Sequence, residues 1–179
     1  MDHLMHVAKE LVVLMDKAAD KSLPQEISNV VKLHSKIAVG SAWIPVPGAD
    51  VAAGAANIWT MYGRLNNKIG IPIGENILKS IGAGVATNLT SYVAVSGVAS
   101  AMKFIPGIGT VGGALIMSAS LYAVTLVSGW VYLKALCLMV QRNGISINAN
   151  DLKRAVDEVL SNKRVIKDMF TAAKKDYKK

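Results

Sequence analysis

His3 and His6 share one face of a helical pattern, and Glu10 follows a turn later. Two imidazoles and a carboxylate at that spacing could hold a divalent metal. Histidines this near a terminus are more commonly solvated, so no metal is expected, and His34 lies apart from them. Gly107, Gly109 and Gly112 have the spacing G-x-G-x-x-G, which cradles a dinucleotide pyrophosphate where a strand runs into a helix. Here no strand pattern precedes it, Pro106 interrupts the approach, and no acidic residue follows about 20 positions on. The glycines are therefore read as relief at a tight corner between helices, and no cofactor is expected. Cys137, the single cysteine, lies in an apolar helical stretch and is read as a buried, inert thiol. Asn88-Leu-Thr90 matches a glycosylation sequon inside an apolar segment that a transferase would not reach. Asp50 stands alone in a long uncharged neighbourhood, as a helix cap or, as the sharper alternative, a proton or ion site. No serine or cysteine nucleophile has a recognisable base beside it, and a non-enzymatic protein is expected.

The elements that must position these residues are helices. The chain of 179 residues has 52% hydrophobic and 6% aromatic residues, so its apolar content is mostly small aliphatic side chains, suited to closely packed helices. Leu4, Val7, Leu11, Leu14 and Ala18 recur at three and four. Ser22 to Gln25 has capping-box spacing, and a second helix follows over about 25–39, turning Ile27, Val30, Val31, Leu33 and Ile37 to a partner. Pro45, Pro47 and Gly48 break the chain before Asp50 and an Ala-rich helix over roughly 51–69. A second break at 70–74 precedes a helix over 75–102. A third, at Pro106 and Gly107, precedes a helix reaching about Val140. Asn148 or Asn150 then starts a short charged helix, and a lysine-rich end follows. WIPVPGADVAAGAA and FIPGIGTVGGAL form a weak repeat that places Tyr62 and Tyr122 in register, as two helical hairpins with similar tips would. The expectation is an all-α fold of helical hairpins joined by Pro/Gly turns. It forms one domain over 1–179, with amphipathic helices to 40, an apolar hairpin core over 41–140 and a basic helical tail over 141–179.

Ser80–Met102 and Phe104–Leu133 are 23 and 30 residues without a charge. A bilayer span needs about 20 mostly apolar residues. The second stretch is read as a span, because a helix of about 45 Å is hard to cover on every side with this chain. The first is marginal, and would insert as the other half of a hairpin with its small polar face towards a neighbour. Gly109 and Gly113 allow close backbone approach near the tip, with Gly112 at the same corner. Trp130, Tyr132 and Lys134 would mark the near interface. The alternative is a water-soluble protein whose two central helices are wholly buried.

The net charge of +8 is uneven. Residues 1–36 carry five basic and five acidic side chains, whereas residues 141–179 carry ten and five. Lys163, Arg164, Lys167, Lys174, Lys175, Lys178 and Lys179 follow the last well-patterned apolar positions and are candidates for contact with anionic lipid. No aromatic-interleaved basic face is present, so nucleic acid is not expected as a partner. The positive-inside bias places both termini in the cytoplasm.

IPVPGAD, the helix containing WTMYGRLNNKIGI, and FIPGIGTVGGA with its long apolar helix together resemble the YcjF-type family over about residues 37–136. That family comprises helical membrane domains fused to, or encoded with, Era-like and dynamin-like GTPases. The resemblance implies a bacterial inner-membrane location and a separate GTPase partner, since no GTPase motif is present in this chain. The expected function is a membrane domain that anchors or responds to that partner, with the lipid bilayer and a second copy of the chain as further partners. A small pore-forming protein and a soluble helical adaptor are the alternatives.

Overall fold

In the computed structural model the described residues are 24–41, 49–71, 73–95, 110–143 and 148–177. They form six helices and no strand: α1 (Gln25–Ser41), α2 (Ala49–Ile69), α3 (Glu75–Val95), α4 (Thr110–Asn143), α5 (Ala149–Ser161) and α6 (Lys163–Tyr177). The fold is all-α, as the periodicity implies.

Local chemistry sets the helix ends. Pro24 opens α1, its carbonyl accepting from the amides of Ile27 and Ser28. Gly70 closes α2 in the left-handed region at φ 80°, where the absent Cβ removes the steric cost. The amides of Gly70 and Ile71 then both donate to the Asn66 carbonyl, and Ile71 folds back onto the core. Asn148 caps α5, its side chain accepting from the Asp151 amide at 2.8 Å. Asn162 ends α5 and caps α6, its Oδ1 accepting from the Val165 amide at 3.2 Å.

Cross-helix contacts fix the directions. Glu26 pairs with Lys68 and His34 with Asn57, so α1 and α2 are antiparallel. Gly82 lies against Trp59 and Gly63 against Leu78, so α3 is antiparallel to α2. Tyr62 reaches Ser128 and Tyr132 reaches Asn66, so α2 and α4 run parallel. The two repeat-derived helices therefore share one direction. Tyr92 stacks on Phe170 and Tyr122 meets Tyr177, so α6 finishes beside the end of α3 and the early turns of α4.

The centre of this arrangement is α4, a helix of 34 residues and about 51 Å. From Ser118 to Leu133 all but Ser120 and Leu121 are buried. Its segment Ser118–Arg142 is long and apolar enough to cross a membrane, and 83% of its most apolar window is buried inside the protein. The premise that this chain cannot cover so long a helix is thus corrected: α1, α2, α3, α5 and α6 all pack on α4. Trp130 and Tyr132, expected at a membrane interface, are 2% and 0% exposed, in the core. A further correction concerns α3. Leu78, Ile81, Val85, Leu89 and Val93 face inwards, while Thr87, Asn88, Thr90 and Ser91 face out. Its apolar row wins the interior because burying aliphatic surface is favourable, whereas an unpaired hydroxyl there is costly.

The basic C-terminal region is not a tail beyond the apolar pattern. Leu152, Ala155, Val156 and Val159 of α5, and Ile166, Met169, Phe170 and Ala173 of α6, recur at helical spacing and are buried. In α1, Ile27 and Val31 enter the core as expected, but Leu33 and Ile37 remain 47% and 49% exposed.

Candidate functional site

The helix spacing that positions any surface site is set by an internal polar ladder. Tyr62 of α2 and Tyr132 of α4 stack at 4.0 Å with ring planes 9° apart. The Tyr62 hydroxyl donates to the Ser128 carbonyl at 3.2 Å, and that of Tyr132 to Asn66 Oδ1 at 2.7 Å. Burial raises both phenol pKa values well above their ordinary range, so both hydroxyls stay protonated as donors. Between α1 and α2, Asn57 Nδ2 of α2 donates to the His34 carbonyl of α1 at 2.8 Å, which orients the amide. Asn57 Oδ1 therefore accepts from His34 Nδ1 at 2.7 Å. Burial is the main cause lowering the His34 pKa, and nearby Arg64 adds to it. Neutral His34 leaves Nε2 buried without a partner among the described residues. Two mid-helix glycines permit the closest approaches. A Cβ at Gly129 would lie 2.7 Å from Val31 Cγ1, and one at Gly82 would lie 3.1 Å from Trp59 Cβ.

Among the clefts on the outside of this frame, two adjoin α2 and α3. The first, about 340 Å³, lies where α2 turns into α3 and is lined by Trp59, Gly63, Arg64, Asn67 and Glu75 among others. Glu75 is held by Lys79 at 2.8 Å, and that ammonium also lies 4.9 Å from the centre of the Trp59 ring. The second, about 490 Å³, lies towards the start of α2 and the end of α3, with α4 as its floor. Ala52, Ala55, Ala83, Ala86, Thr90 and Leu121 are among its lining, and no charged residue is. Among the described residues, the second lining holds no acid or base beside its Thr87, Thr90 and Ser91 hydroxyls.

The candidate residues from the sequence fall in several places. Asp50 lies in the first turn of α2, which starts two residues earlier than a capping role requires. Gly112 and Gly113 are in the first turn of α4. Pro45, Pro47, Gly48, Pro106, Gly107 and Gly109 lie outside the described residues, as do His3, His6 and Glu10. Lys163, Arg164 and Lys167 are exposed on α6, Lys174 and Lys175 belong to its last turns, and Lys178 and Lys179 lie outside the described residues. Cys137 is buried and its thiol is pushed up to about 12, which keeps it protonated and unreactive. Asn88 and Thr90 are exposed on α3. The uncharged groove was missed by sequence reasoning. Its signal was present in the small residues Ala52, Ala55, Ala83 and Ala86, but which of them meet depends on how α2 and α3 diverge.

No family model matches the chain, and no solved structure matches it. The chain is similar to magnetosome membrane protein 22 of Magnetospirillum gryphiswaldense, with 33% identity over 107 residues, or 59% of this chain. The match covers 55% of that protein, so the chain spans about half the length of the curated relative it matches.

Proposed function

We propose that this chain is a non-enzymatic, membrane-associated helical protein that anchors or responds to a cytoplasmic partner. The observation that carries the reading is the likeness to a protein named as a magnetosome membrane protein. The long charge-free stretches of the sequence support it. The resemblance to the YcjF-type family suggests a GTPase as the partner and the bacterial inner membrane as the location, with both termini on the cytoplasmic side. With α4 enclosed by its neighbours, association takes place at the membrane surface, and the apolar helix serves as the core of the bundle.

Fractionation of cells at neutral pH and low salt tests this reading. The protein is expected in the membrane pellet, and affinity purification from that fraction is expected to bring down a GTPase. A second reading, a soluble helical adaptor, is favoured by the burial of α4. Recovery wholly in the soluble fraction would establish it instead.

A further inference from the structure

The cleft at the turn from α2 into α3 combines polar donors, one cation and an apolar wall. Gly63, Arg64 and Asn67 follow at helical spacing along its α2 side, and Ile71 and Leu78 supply aliphatic surface. Every residue from 59 to 79 except Pro72 is described, and Arg64, Asn67 and Glu75 are exposed. Gly63 makes the room: a Cβ there would meet only Leu78 Cδ1, at 4.0 Å, an ordinary contact. Asn66 also lines the cleft and is 3% exposed. Tyr132 donates to its Oδ1, while its Nδ2 has no partner among the described residues. A buried amide left unpaired is costly, so an acceptor brought to it is favoured.

Charge decides which chemistry this cleft takes. Among the described lining residues only Arg64 and Glu75 are charged. Glu75 is paired with Lys79 at 2.8 Å, whereas Arg64 makes no ion pair among the described residues. One free guanidinium with an amide three residues on suits a planar carboxylate, which takes two parallel N–H donors. A phosphate dianion finds no second cation in this lining and faces Glu75. The half-buried Trp59 ring and the aliphatic wall accept an apolar body. At about 340 Å³ the cleft lies at the small end of ligand pockets.

We infer that this cleft binds a small monocarboxylate with a compact apolar body. Arg64 and the Asn67 amide hold the carboxylate, and the body lies along Gly63 against Leu78 and the Trp59 ring. Asn66 Nδ2 offers a further donor at the inner wall. The inference goes beyond the membrane-associated reading and does not depend on it, since every group it uses belongs to α2, α3 or the turn between them.

Titration calorimetry on the full-length protein, with phenylacetate as the probe, tests it. Phenylacetate is expected to bind saturably in the millimolar range or tighter. Acetate, 2-phenylacetamide and phenyl phosphate are each expected to bind at least about tenfold more weakly. Arg64→Gln is expected to lower phenylacetate affinity on the order of tenfold at unchanged melting temperature, because Arg64 is exposed. Gly63→Leu places a side chain in the cleft and is expected to abolish binding with the fold retained. In nuclear magnetic resonance spectra the Trp59 indole N–H and the Asn67 side-chain amide are expected to shift with phenylacetate, while the indole of core residue Trp130 stays in place. Equal affinity for phenylacetate and 2-phenylacetamide, or Arg64→Gln without effect, overturns the carboxylate assignment. Tighter binding of phenyl phosphate overturns the choice of a monoanion. A peptide with a free C-terminal phenylalanine that binds about tenfold more tightly than phenylacetate moves the site to a polypeptide terminus and overturns the small-acid source. No saturable binding by the wild type, or binding that leaves the Trp59 and Asn67 signals unmoved, overturns the site itself.

Discussion

Tyr132 and Tyr62 are stacked and equally buried, yet they are not equivalent. Tyr132→Phe would leave Asn66 without the donor to its Oδ1, and Asn66 Nδ2 already has no partner among the described residues. The expected loss in denaturant unfolding is about 1–3 kcal/mol. Tyr62→Phe should cost less, because the Ser128 carbonyl remains within the hydrogen-bonded interior of α4. Glycines separate in the same way. Gly129→Ala drives a methyl group into Val31 and is expected to destabilise by about 1–3 kcal/mol. Gly84→Ala, exposed in α3 with nothing near its Cβ position, should stabilise by about 0.5–1 kcal/mol. His34 gives the fold a pH dependence. Its folded pKa lies below the ordinary 6.5, so below that pH the unfolded chain binds the extra proton. The contribution is fully present above about pH 6.5 and is lost as pH falls towards the folded value. Melting temperature should therefore drop on acidification through this window, with a smaller drop in His34→Gln; equal slopes in the two proteins would remove His34 as the cause.

At the scale of elements, α6 is where structure and pattern reading diverge most. The lysines at 163, 167, 174 and 175 draw attention to charge, but Ile166, Met169, Phe170 and Ala173 recur between them and are buried. Phe170→Ala should cost about 3–5 kcal/mol if α6 is integral to the bundle, as thermal or denaturant unfolding of the full chain would show. A change within error would mean that α6 detaches without consequence. Helix existence was legible for α1 to α5, because Pro24, Gly70 and Asn148 are backbone signals that act locally. The partner of each face was not. Leu33 has the same local pattern as Val31, yet only Val31 meets α4 at Gly129, and that depends on the crossing of two helices far apart in sequence. Gly82 and Gly129, which allow close approach, were not legible for the same reason: both lie mid-helix, without a turn motif to advertise them.

At the scale of the whole molecule, the apolar length of α4 meets the criterion for a membrane span and for a buried core equally well. Five surrounding helices bury the described part of α4, which is the arrangement of a core helix. Washing isolated membranes with alkaline carbonate tests this account most directly, since it strips proteins held at the surface and leaves spanning helices in the bilayer. The account predicts that the protein pellets with membranes at neutral pH and low salt and is released by carbonate. Retention in the pellet after the wash would place α4 across the bilayer and contradict a bundle that keeps it as its core.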